Sequence, residues 1–184
     1  MTNIRPTAPN VATSIAAVVK VHATAGQILV RPTIFPRLFF GDWYSTQNQT
    51  PTTINTPTKI TLNHSGTVSG FSNNNGTITA QNAGLYNFQF SLQIISTNSS
   101  AQYYWIWYRK NGQDAPNSAT KLSISSNSVI LAPSWNFLVS MNANDTFELM
   151  WAADALNLSL SAQPQTAFCP AIPSVILTVQ QTNL

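Results

Sequence analysis

The chain has 184 residues, long enough for one sizeable core, and a formal net charge of +3. Charged residues make up 7% of it, against about 25% in ordinary soluble domains, while hydrophobic residues stand at a near-normal 43%, so the polar surface must be built from Ser, Thr, Asn and Gln. That excludes the disordered class, which needs low hydrophobicity and high charge, and no run approaches the ~18 consecutive apolar residues of a membrane-spanning helix.

The first 41 residues differ from the rest. Arg5, Lys20, Arg31 and Arg37 precede the first acid, Asp42, leaving four bases against five acids in the remainder of the chain. This asymmetry marks residues 1–41 as a separate N-terminal arm. Residues 1–10 hold Pro and Asn and read as extended, without the basic-then-apolar pattern of a signal peptide. Ile15, Val18, Val19, Val21, Ile28, Leu29 and Val30 favour strand, with Ala25-Gly26 as a turn between two short strands. The run R-P-T-I-F-P-R-L-F-F then sets apolar residues among two prolines, which excludes a central strand. Exposed, it would be an aggregation hazard, so it needs a partner surface. Arg31, Ile34, Phe35, Arg37, Phe39 and Phe40 are the expected anchoring residues. Four bases in 41 residues are sparse for nucleic acid, and none is expected as a partner. An arm lying on another protein fits better; packing on its own domain or a sister subunit is the plainer alternative.

From Gly41 onward the chain is steadily β. Asp42–Thr46 and Lys59–Asn63 read as strands, while Ser65-Gly66 and Ser72–Gly76 read as turns, with Asn75-Gly76 the strongest two-residue hairpin signal. Thr77–Ala80 leads to the central stretch, A-G-L-Y-N-F-Q-F-S-L-Q-I-I, where Tyr86, Phe88, Phe90, Leu92 and Ile94 fall on alternate positions. That is period two: one greasy face and one face of amides and hydroxyl without a charge. The greasy face predicts core residues Tyr86, Phe88 and Phe90. A face meant for bulk water usually carries Lys or Glu, so the uncharged face, with Gln89, suits a subunit contact.

Tyr103–Lys110, Y-Y-W-I-W-Y-R-K, is apolar on both faces until its charges arrive. One face is expected in the core and the other under a neighbouring subunit or under loops of the same chain. Tyr104, Ile106 and Tyr108 are the expected subunit-interface residues. Asn111-Gly112 makes a second turn. Strands follow at Lys121–Ser125, Val129–Leu131, Trp135–Met141, Phe147–Trp151, Leu156–Leu160 and Val175–Gln180, with Phe137 and Leu149 in the core. Many short strands with turns at near-regular spacing and no credible helix imply an antiparallel sandwich. Cys169, the lone cysteine, reads as a small buried hydrophobe.

Gly84-Leu85-Tyr86-Asn87-Phe88-Gln89-Phe90 resembles the G-x-Y-x-F-x-F signature of the tumour necrosis factor (TNF) and complement globular-head superfamily. I-T-A-Q-N-A-G before it, W-I-W-Y-R-K-N-G, F-L-V-S-M-N-A-N-D-T-F-E-L and S-V-I-L-T-V are similar to the flanking elements of that family. Asn144-Asp145 stands where Gly-Asp is usual. The resemblance covers residues 42–184 and implies an all-β, antiparallel, TNF-like jelly-roll sandwich, usually trimeric, behind an extended arm with short strands. The charge-poor, Asn- and Thr-rich texture resembles that of structural proteins of tailed bacteriophages.

Catalytic machinery is hard to find. The acids Asp42, Asp114, Asp145, Glu148 and Asp154 form no spaced pair of the kind glycosidases need. There is no H-E-x-x-H, no G-x-S-x-G, no phosphate-cradling glycine loop and no cluster of oxygen ligands for calcium. No enzyme, cofactor or metal is therefore expected. The expectation is a homotrimeric decoration or cement protein on the outer capsid surface of a virion, held to a major capsid or other virion protein by residues 1–41. The alternative is a receptor- or glycan-binding module of a phage fibre or bacterial surface. The tryptophans fall inside expected strands rather than at loop tips, which favours the scaffold.

Overall fold

The computed structural model describes residues 18–24, 27–33, 38–125 and 127–182. Its contacts divide the chain into two units, Met1–Arg37 and Leu38–Leu184. In the first, β1 (Val18–Thr24) and β2 (Gln27–Thr33) pair antiparallel from Thr24↔Gln27 to Val18↔Thr33. These are the two short strands predicted around Ala25-Gly26.

The second unit is strands and loops, with no helix among the described residues. In chain order the strands are β3 (Phe40–Ser45), β4 (Thr58–Lys59), β5 (His64–Ser69), β6 (Phe71–Asn74), β7 (Thr77–Ala80) and β8 (Gly84–Leu92). β9 (Ile94–Ser96), β10 (Gln102–Lys110), β11 (Gln113–Asp114), β12 (Thr120–Ile124) and β13 (Ile130–Leu131) follow. The last are β14 (Ser134–Met141), β15 (Thr146–Ala153), β16 (Leu158–Leu160) and β17 (Val175–Gln181). A five-stranded sheet has the order β14-β8-β17-β3-β5. A seven-stranded sheet runs β11-β10-β15-β7-β6, with β12 beside β10 and β4 beside β15. A small three-stranded sheet, β13-β9-β16, lies apart from these two in the pairing. All these pairings are antiparallel.

The alternation in β8 decides what lies between the sheets. Tyr86, Phe88 and Leu92 are fully buried and Phe90 nearly so, while Gln89 is exposed. The Phe88 ring stacks on Phe147 of the opposite sheet, 3.9 Å between centroids and 6° between planes. Leu149 is buried, and Phe137 is half-buried against the same cluster. The expected core residues therefore meet in one place. Each large side chain buried there contributes roughly 1.5–3 kcal/mol.

The hairpin signals hold at the backbone. Asn75 and Gly76 have φ of 48° and 92°, Asn111 and Gly112 φ of 51° and 75°, the pair of left-handed residues that a two-residue hairpin requires. Asn144, which replaces the usual glycine of the resemblance, has φ 70°. Asparagine tolerates that region better than most residues, so the departure leaves the turn shape intact.

Several expectations need correction. Ser72–Asn74, read as part of a turn, are strand residues of β6, and only Asn75-Gly76 makes the turn. Ser65-Gly66 is no turn: both residues lie in β5, paired to β3 across an irregularity between Gly41 and Trp43. Gly66 is small because the Asp42 carboxylate lies against it; an added Cβ would clash with Asp42 Oδ2. Lys59–Asn63 pairs only at its start, although Ile60 and Leu62 are buried. Cys169 is half-buried rather than a core residue, because its loop lies outside the sheets. The boundary at 41/42 moves to 37/38, since Phe40 and Gly41 already pair with Gln180 and Val179 of β17.

Candidate functional site

Every base between residues 38 and 182 belongs to a strand of the seven-stranded sheet: Lys59 on β4, Arg109 and Lys110 on β10, Lys121 on β12. The outward face of the five-stranded sheet is built differently. Its central row, read through the register, is Asn136, Gln89, Thr178 and Asp42. The rows on either side carry Leu138, Asn87, Gln180 and Phe40, and Ser134, Ser91, Ile176 and Tyr44. Asp42 is the one charged residue among these, and its Oδ1 accepts the Thr67 N–H at 2.7 Å. Asn136 Nδ2 donates to Asn87 Oδ1 at 2.8 Å, and Tyr44 stacks on His64 at 5.0 Å. Leu138 is 61% exposed, Ile176 41% and Phe40 40%. A cleft of ≈ 900 Å³ opens where Tyr44 and Ile176 meet the proline-rich segment holding Pro164, Pro170 and Pro173. This face is apolar at its margins and amide-rich at its centre, and water alone does not account for it.

At the β14 edge, Trp135, Phe137 and Tyr108 are half-buried. Phe90 meets Trp135 at 4.6 Å and Phe137 at 5.8 Å, and Tyr108 meets Phe137 at 4.9 Å. The aromatic cluster thus reaches from the core to the surface.

The expected interface residues divide. Gln89 sits exposed at the centre of the uncharged face. Tyr104 and Ile106 do not belong at a subunit contact: they are 1% and 0% exposed and face this chain's own core, where burial pushes the Tyr104 phenol pKa up. Tyr108 shares their side of β10 and leans on Phe137 and Phe147. The outward row of β10 is the other parity, Tyr103, Trp105 and Trp107. Of the anchoring residues, Ile34, Phe35 and Arg37 lie outside the described residues. Arg31 is in β2, opposite Lys20. Phe39 and Phe40 leave the arm altogether: Phe39 is half-buried against the jelly-roll core, and Phe40 opens β3.

No protein-family profile matches the chain, and no curated protein matches it. Among solved structures it is similar to murine APRIL. The crystal structure of that protein at pH 8.0 aligns with a TM-score of 0.50 at 9% identity, over 79% of this chain and 100% of that one. The crystal structures at pH 5.0 and pH 8.5 give 0.48 and 0.47, both at 8% identity over the same shares. At such identity the likeness shows the fold, an all-β antiparallel jelly roll of TNF-like type.

Proposed function

We propose that the chain is a virion structural protein, a homotrimer whose jelly roll decorates or cements the outer surface of a phage capsid while its N-terminal unit holds it there. The trimer reading is carried by the segregation of charge, which leaves one sheet face amide-rich with apolar margins and uncharged apart from Asp42, while the bases of the jelly roll lie on the other sheet. Burying such a face removes Leu138, Phe40 and Ile176 from water without desolvating a network of ions. The tether reading is supported by the division at Arg37 and by the four bases that precede any acid. Arginines there would meet acidic shell surface, guiding orientation more than affinity. No step of this function is enzymatic.

The test is a pair of measurements. Sedimentation of the full chain at micromolar concentration is expected to give a trimer; a stable monomer would defeat that half. A chain lacking residues 1–37 is expected to remain a folded trimer yet fail to bind the particle that carries the intact protein. Undiminished attachment of the truncated chain would defeat the tether. A second reading, a receptor- or glycan-binding module of a fibre or bacterial surface, is favoured by one observation, the outward row Tyr103, Trp105 and Trp107 on β10.

A further inference from the structure

Period two along β10 puts Tyr103, Trp105 and Trp107 in one row on the outward face of the seven-stranded sheet, neighbours about 7 Å apart along the strand. Across the register on β15 stand Ala152, opposite Trp105, and Met150, opposite Trp107. Trp105 is half-buried and packs against the buried Trp107, Met150 and Ala152. Trp107 is 8% exposed and fixed: its Nε1–H donates to Asp114 Oδ1 at 2.7 Å, and the same oxygen accepts from Arg109 Nε at 2.8 Å. Both bonds land on Oδ1, which leaves Oδ2 as an acceptor on a side chain that is 53% exposed. At the other end of the row, Lys121 Nζ lies 4.0 Å from the centre of the Tyr103 ring and 5.4 Å from that of Trp105.

Trp105, Trp107 and Ala152 line a groove of ≈ 410 Å³, inside the range of small-ligand sites, about 300–1,000 Å³. Asn55 and Pro57 wall one side, Asp114 and Asn117 the other. Asn55 and Asn117 have φ of 54° and 60°, a left-handed backbone that fixes where the two amides start. The groove is lined by two indoles, Trp105 half-buried and Trp107 nearly buried, and by two amides and a carboxylate. A ligand complementary to that needs one flat apolar face and hydroxyls around its edge, which is the shape of a pyranose ring. A purely apolar anchor would strip water from those polar groups and leave them unpaired. A quaternary ammonium would meet Lys121 and Arg109 on the same face.

We propose that this groove binds a neutral pyranose saccharide, one ring stacked on Trp105 beside Trp107, its hydroxyls taken by Asn55, Asn117 and Asp114. The proposal rests on the second, glycan-binding reading above and names its ligand class; none of the residues that line the groove belongs to the uncharged sheet, so its failure is distinguishable from failure of capsid attachment or trimer formation.

The full chain is titrated with maltohexaose, cellohexaose and chitohexaose, and separately with decaproline, an extended peptide that also suits aromatic grooves. Binding is read by tryptophan emission and calorimetry. At least one hexasaccharide is expected to bind saturably. Trp105→Ala is expected to weaken it by roughly ten-fold or more. Asn117→Gly, which keeps the left-handed backbone and deletes the amide, is expected to weaken it several-fold. Trp105→Ala is expected to unfold at a lower temperature yet cooperatively, Asn117→Gly close to the parent, and both to sediment as the parent does, which separates loss of the site from loss of the fold or the oligomer. The proposal is overturned if no saccharide saturates, if both variants bind as the parent does, or if decaproline alone binds.

Discussion

Phe88 and Gln89 are neighbours with opposite surroundings. Phe88 is fully buried and stacked on Phe147, and Gln89 is exposed. Phe88→Ala is expected to cost about 3–5 kcal/mol in urea unfolding, the transfer term plus a cavity between two sheets that cannot collapse. Gln89→Ala should stay within about 0.5 kcal/mol of the parent; the reverse order would mean that the strand faces the other way. Asp145 makes a pH prediction. Its carboxylate accepts the Asn142 N–H at 2.8 Å and Asn111 Nδ2 at 2.8 Å, with Lys110 Nζ 2.9 Å away. Those bonds, the Asn142 amide first, lower its pKa from 3.8 to about 2. A carboxyl with a depressed folded-state pKa contributes stability above its unfolded value and loses it as pH falls through the folded one. The parent is therefore expected to lose stability between about pH 5 and pH 2 more steeply than Asp145→Asn does. Equal slopes for the two proteins would show that the bonds to Asp145 do not matter for folding.

At the scale of elements, the two Asn-Gly hairpins differ in their surroundings. A Cβ on Gly76 would clash with the Ile60 carbonyl oxygen, whereas one on Gly112 would meet nothing within 4 Å. Both glycines have positive φ. Gly112→Ala should then cost only the backbone term, about 1 kcal/mol, and Gly76→Ala clearly more; equal losses in thermal unfolding would count against the close approach. Both turns were legible because Asn-Gly is a local signal. The facing of β8 was legible too, since polar and apolar residues alternate cleanly along it. β10 was not, and the reason is physical: with aromatics on both faces, period two says that residues alternate but not which set points inward. That is why the pattern alone allows Tyr104 and Ile106 at a subunit contact and does not reveal the groove beside Trp105. The parity could have been carried over from β15, where Glu148 alternates with Phe147 and Leu149, but only through the Arg109↔Glu148 register, which is non-local. Gly66 misled for a similar reason, being small for the sake of a carboxylate 24 residues away in sequence, on Asp42.

At the scale of the molecule, one charge-poor sheet and one charge-bearing sheet mean that the proposed trimer would rest on apolar area rather than on ion pairs. Exposed ion pairs weaken with salt, and at about 1 M the screening length is only about 3 Å. A trimer closed on the five-stranded sheet should therefore survive 1 M NaCl, and sedimentation that shows dissociation by salt would place the contact elsewhere. Leu138→Lys puts a cation at a residue that is 61% exposed in the single chain. It should leave each jelly roll folded and shift the population toward monomer.

The position of β17 has a consequence for how the protein comes to be. This strand lies between β8 and β3 and bonds to both along its length. Until it arrives, β3 and β8 have no common neighbour, and Val175, Leu177 and Val179, all buried in the finished domain, are missing from the core. A nascent chain can build its hairpins early, but the sandwich closes only when this late strand is delivered, so the growing polypeptide carries an open apolar slot until then. A chain ending at Ser174 is expected to be aggregation-prone. A synthetic peptide of residues 175–182 supplied in trans should enter the slot as a donor strand and restore solubility and tryptophan burial. If the shortened chain folds without it, the closing step lies elsewhere.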